Sequence, residues 1–180
     1  QARGRSLANV LQMSQEEKLA AIICVRELDD DKHNLLMATK NGVVKKTVLS
    51  AYKNVRVAGI NAIKIDENDQ LIGVVLTNGE NDVMLSTKKG KAIRFHEKGA
   101  RTMGRVSRGV RGIRLAEDDI VVSIDIVDGD ATMMAITENG FGKRTSFDEY
   151  RPQTRGGKGV ISIQTTERNG DVVSAHAVTD

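Results

Sequence analysis

Between residues 101 and 115 five arginines, Arg101, Arg105, Arg108, Arg111 and Arg114, alternate with Gly104, Gly109 and Gly112, and there is no acid. Guanidinium groups bind phosphate in a planar, bidentate way. Glycines let the backbone come close to an anion and leave N–H groups free to donate. The chemistry this stretch suits is phosphate binding. A second set of basic residues flanks three Gly-bearing turns: Lys45 and Lys46 after Asn41-Gly42, Lys89, Lys91 and Arg94 around Gly90, and Lys143 and Arg144 after Asn139-Gly140. Arg3, Arg5, Arg56, Arg155 and Lys158 complete the candidate set, in or beside stretches that match the central one.

The elements that must position these residues recur. Gly59, Gly109 and Gly159 are spaced by fifty, as are Ile63, Ile113 and Ile163, and Glu67, Glu117 and Glu167. The last repeat is the simplest to read. Val121–Val127 predicts a strand, Asp128-Gly129 a turn, Thr132–Ile136 a strand, Asn139-Gly140 a hairpin tip and Phe141–Thr145 the returning strand. Ser146–Tyr150 is irregular or helical, Gln153–Gly159 is a basic Gly-rich turn, Val160–Thr165 is a strand, and Asp171–Val178 follows the Asn169-Gly170 turn. Four strands per repeat, with little helical periodicity, predict an all-β chain built as a propeller-like stack of four-stranded blades. A blade buries its faces only against its neighbours. We expect one domain over 1–180, with a partial blade at 1–25 and repeats at about 26–75, 76–125 and 126–178. Leu19–Val25 should be a strand. Ser14–Glu17 matches a capping box, although its counterparts in the other repeats read as turns.

Composition narrows the class. The apolar fraction is 39%, enough for a packed core. Net charge is only +3, but ten Lys or Arg and one acid, Glu97, lie between Val83 and Leu115. Acids gather in Asp29–Asp31, Asp66–Asp69 and Glu117–Asp119, which read as solvated turns set apart from the basic track. The single cysteine, Cys24, sits in an apolar run and is expected to be a buried core thiol. It makes no internal disulfide, which fits a reducing compartment. No apolar run approaches the ~20 residues of a membrane helix, and no signal peptide is visible. The chain begins without Met, inside a partial repeat, and reads as a piece of a longer protein.

Catalysis finds little support. His33, His96 and His176 fall at unrelated points of the repeat, and none has a partner at metal-ligand spacing. Gly156-Gly157-Lys158-Gly159 fails as a phosphate-binding P-loop, because Pro152 replaces its first glycine and Gly159 its Ser or Thr. A curved basic track on a repeating scaffold suits duplex nucleic acid bent over a surface. With three Phe, two Tyr and no Trp, the chain lacks the aromatic platforms of single-strand binders. Phosphate contacts also predict weak sequence preference.

Four stretches carry a resemblance: Lys45-Lys46-Thr47-Val48-Leu49, Gly109–Leu115, Asn139-Gly140-Phe141-Gly142-Lys143-Arg144-Thr145, and Gly159–Ile163 with Thr166–Gly170. Together they closely resemble the C-terminal domain family of bacterial DNA gyrase A, across nearly the whole chain. The resemblance implies a β-pinwheel of about six blades that exchange a strand between neighbours, with duplex DNA wrapped on the basic rim. It implies no catalytic residue, metal or cofactor in this chain, since DNA cleavage and ATP hydrolysis, with ATP and Mg2+, belong to other parts of an A2B2 holoenzyme. The implied partners are duplex DNA, the rest of the gyrase A polypeptide, and gyrase B. The implied location is the cytoplasm, at the nucleoid. Only about three and a half repeats are present. Gln153-Thr154-Arg155-Gly156-Gly157-Lys158-Gly159 matches the family's box of Gln-basic-Arg-Gly-Gly-basic-Gly except at Thr154. It lies in the third full repeat, so it reads as the equivalent turn of a later blade. The other readings are the corresponding domain of topoisomerase IV, which bends DNA, and a protein-interaction propeller.

Overall fold

The computed structural model describes residues 4, 11, 13–14, 16–56 and 58–179. Arg3 and Arg5 lie outside them. Among the described residues eleven strands form three antiparallel sheets. In the first, β1 (Asn34–Thr39) and β2 (Val43–Val48) form a hairpin, and β3 (Leu71–Thr77) adds to β1. In the second, β4 (Asp82–Thr87) and β5 (Lys91–His96) form the hairpin. The outer edge of β2 is filled by β6 (Val110–Arg111), which comes from the following repeat. β7 (Val121–Ile126) pairs with β4. The third sheet contains the hairpin of β8 (Thr132–Thr137) and β9 (Gly142–Ser146), while β10 (Val160–Ile161) crosses back to the edge of β5. β11 (Val172–Val178) pairs with β8. Neighbouring repeats thus exchange a short strand. β7 lies against both β3 and β11, so the sheets fan out from these three strands.

Alternation along the strands places apolar residues on both faces of each hairpin. Leu36, Ala38 and Val44 of the first sheet pack on Val83, Leu85, Ile93 and Phe95 of the second. Met84 and Ala92 of the second pack on Ala131, Met133, Phe147 and Tyr150 of the third repeat. Leu35, Met37, Leu49 and Tyr52 are covered by Ile23, Val25 and Leu28. No sheet buries its faces alone.

Three expectations are corrected. Residues 19–25 are not a strand: they run irregularly over the first sheet, giving apolar side chains but no ladder hydrogen bonds. Cys24 points outward and is exposed, because its neighbours Ile23 and Val25 supply the packing. The strand expected over Val160–Thr165 stops at Ile161. There the chain curls over the preceding hairpin tip, and Ser162 and Ile163 both donate their N–H to the Gly90 carbonyl, at 2.9 and 3.2 Å. Gly90 itself has φ +78°, and a Cβ there would lie 2.0 Å from the Ile163 oxygen. The Glu17 carboxylate accepts from the Ser14 N–H at 2.7 Å, and Ser14, Glu16 and Glu17 are not helical.

Candidate nucleic-acid interface

The basic residues divide into two populations. The first holds the sheets together. Lys45 is fully enclosed (0% exposed), and its ammonium donates to the carbonyls of Ala62 in its own repeat and Arg105 in the next. Burial, helped by the Arg105 charge, pulls its pKa from 10.5 to about 8. Lys46, 6% exposed, donates to the Glu97 carbonyl at 3.0 Å and pairs with its carboxylate at 3.5 Å. Glu97 is fully buried and also accepts from Thr77, Gly79 and Asn81. Arg94 stands where Lys46 stands in the hairpin register. It binds Asp82 at 2.8 Å and the Phe147 carbonyl of the next repeat at 3.0 Å. Lys45 and Lys46 are enclosed and do not face solvent, so the phosphate role expected for them is replaced by clipping one sheet to the next, while the half-buried Arg94 makes the same kind of clip with part of its side chain still exposed. Lys143 donates to Ser162 at 3.0 Å, repeating the bond from Lys45 to Ala62, and the exposed Arg144 donates from Nε to Thr132 at 3.0 Å.

Acidic turns also differ from expectation, because they clasp the hairpin tips. Asp69 accepts from Asn41 N–H at 2.8 Å, and the 6%-exposed Asp119 accepts from Lys89 N–H at 2.9 Å and Thr87 at 2.7 Å. Asp171 pairs with Lys88 at 3.3 Å and Lys89 at 3.2 Å. Burial pushes its carboxyl up, but hydrogen bonds from Lys89 and Lys88 outweigh this and hold it below the usual range. Asp66 lies 3.4 Å from Arg108. The acids are therefore not fully segregated from the basic track.

The second population is displayed. Arg56, Arg101, Arg111, Arg114 and Lys158 are exposed, and Lys91 is half-buried. None of the six has an ion pair or side-chain hydrogen bond among the described residues. Lys64, which spacing arguments overlooked, joins them; its position fifty residues before Arg114 was the available signal. Arg151 stands likewise fifty after Arg101 and is also exposed. Arg111 sits on β6 and Arg114 just beyond it, at the edge of the first sheet farthest from β3.

Successive Gly-rich turns touch. Lys64 N–H donates to Ser107 O at 3.1 Å, and the equivalent Arg114 N–H to Gly157 O at 2.8 Å. Gly156 N–H donates to Gly112 O at 2.7 Å. Across these joints Arg105 donates to Asn61 O at 3.3 Å, and Arg155 donates to Gly99 O at 2.9 Å and to Arg111 O. Of the box-like turn, Gln153, Arg155, Gly156, Gly157 and Gly159 are half-buried in this joint, and Lys158 is displayed. Gly159 has φ +70°, with Ala92 O only 2.5 Å from where a Cβ would stand. The result is a belt of linked turns along the sheet edges that presents unpaired cations to solvent. Such a belt can neutralise a row of phosphates.

No helix among the described residues is long and apolar enough to cross a membrane. The family model described as DNA gyrase C-terminal domain, beta-propeller, matches residues 33–78, 81–128 and 131–179. The DNA gyrase A protein of Escherichia coli (strain K12) is 50% identical over 179 residues, which cover 99% of this chain and 20% of that protein. The solved C-terminal domain of DNA topoisomerase IV superposes with a TM-score of 0.90 at 28% identity, covering 98% of this chain and 55% of that one. The solved C-terminal domain of DNA gyrase A gives 0.88 at 26%, covering 99% and 59%. With its three matched repeats, its exchanged strands and its sheets fanned from β3, β7 and β11, the chain belongs to the family of DNA gyrase C-terminal domains.

Proposed function

We propose that this chain binds duplex DNA without sequence preference and bends it along the belt of Gly-rich turns, as part of a gyrase A polypeptide. The carrying observation is the set of exposed cations without acid partners, Arg101, Arg111, Arg114 and Lys158, on turns that are hydrogen-bonded to one another. In this reading the wrap serves ATP-dependent negative supercoiling by a holoenzyme of two gyrase A and two gyrase B chains in the cytoplasm, at the nucleoid. ATP and Mg2+ act in its other parts, and this chain takes no cofactor of its own.

The test is affinity for random-sequence duplexes of increasing length at low and moderate salt. Affinity should rise with length over several helical turns and fall steeply with salt. Absence of duplex binding at low salt sinks the reading and favours a protein-interaction role. The near-equal TM-score to the topoisomerase IV domain favours one second reading, bending without a chiral wrap. Topology of relaxed circles closed on the bound chain separates the two, because only a chiral wrap shifts linking number in one sense.

A further inference from the structure

We propose that Arg105 and Arg155 are positioning residues of the belt: they set the spacing between successive DNA-contacting turns by binding backbone carbonyls, not phosphates. The inference rests on the DNA-binding reading above. Arg105 reaches Asn61 O, and Arg155 reaches Arg111 O. Both donors and both acceptors are fifty residues apart, so one joint is built twice. Arg155 also donates to Gly99 O at 2.9 Å, so its guanidinium spans two backbone segments. The carbonyl it holds belongs to Arg111, whose side chain is displayed to solvent. The backbone bond from Gly156 N–H to Gly112 O, at 2.7 Å, lies one residue along from this contact on each side. Fixing the Arg111 carbonyl therefore fixes the distance between Arg111 and Lys158, which stand on consecutive turns. A planar fork reaches two carbonyls in different directions from fixed N–H groups, whereas a strongly hydrated ammonium at this part-exposed position, not enclosed as that of Lys45 is, holds the same geometry poorly. Val55 takes the corresponding place in the first repeat, so the joint depends on a residue type that the repeat does not always supply.

Three variants of the full 180-residue chain test this: Arg155→Lys, Arg155→Gln and Lys158→Gln. The readouts are the salt slope of duplex affinity, the end-to-end distance of a dye-labelled duplex, and hydrogen exchange at the amides of Gly156 and Arg114. In the expected result Arg155→Lys and Arg155→Gln both lengthen the end-to-end distance and lose about tenfold in amide protection. Their salt slope stays close to that of the parent. Lys158→Gln lowers the slope by about 0.9 and leaves protection intact. Recovery of bend and protection by Arg155→Lys overturns the proposal, as does a slope loss of about 0.9 in Arg155→Gln. Should Arg155 variants fail to fold, Arg105→Lys, with its single 3.3 Å contact, is read by the same criteria at Lys64. If the parent chain itself binds no duplex, the DNA reading has failed and this inference goes with it; a parent that binds, beside an Arg155→Lys variant that matches it, defeats the inference alone.

Discussion

Lys45 and Arg111 are both cations in basic stretches, but their surroundings give them opposite roles. Lys45 is enclosed with two carbonyls and no carboxylate, and burial with the nearby Arg105 lowers its pKa to about 8. Between about 8 and its usual 10.5 the unfolded chain still holds a proton that the folded chain has released. Stability should therefore rise with pH through that window on account of this residue. Tyr52 opposes it toward the alkaline end, since burial pushes its hydroxyl above 10.0 and the folded chain then holds the extra proton. Lys45→Met keeps the Tyr52 effect and removes the first one. Urea unfolding across the window should show a flatter rise for Lys45→Met than for the parent; parallel curves would mean Lys45 titrates normally. Arg111 has no such constraint, and its charge is available to a ligand.

At the scale of elements, joints between repeats carry the design. Lys46, Thr77 and the N–H groups of Gly79 and Asn81 all converge on the fully buried Glu97. Removing one member leaves an uncompensated buried charge, which costs about 3–5 kcal/mol. Glu97→Ala should lose that much in chemical denaturation, and a loss under about 1 kcal/mol would show that water replaces the carboxylate at little cost. The exchanged strand makes a second joint. Gly159→Ala meets both a left-handed φ of +70° and the Ala92 oxygen at 2.5 Å, whereas Gly59→Ala has φ +76° and open space. Gly59→Ala should cost about 1 kcal/mol and Gly159→Ala clearly more. Equal melting temperatures for the two variants would argue against the tight approach of β10 to β5.

For the whole molecule, the proposed DNA-binding surface is a sum of small displays along linked turns. Arg111→Ala combined with Arg114→Ala should weaken binding to every duplex alike and reduce the slope of log K against log salt by about two units or less. A changed sequence preference at constant slope would contradict phosphate contacts. The fifty-residue period, the Gly42, Gly90 and Gly140 tips and the all-β class were legible in the sequence, because each rests on local turn chemistry and alternation. The fate of the individual cations was not. Lys45 and Lys46 follow a hairpin tip as Lys143 and Arg144 do, but Arg105 and Glu97 of the next repeat arrive from more than fifty residues away to enclose them. The acidic turns read as solvated, yet Asp69 and Asp119 clasp tips some thirty residues distant. The amino-acid order by itself thus determined the repeated unit and its stock of charge. Only the stacking of one repeat on the next decided which charges were buried as clips and which were left to meet a partner, because burial is a property of neighbours brought together by the fold.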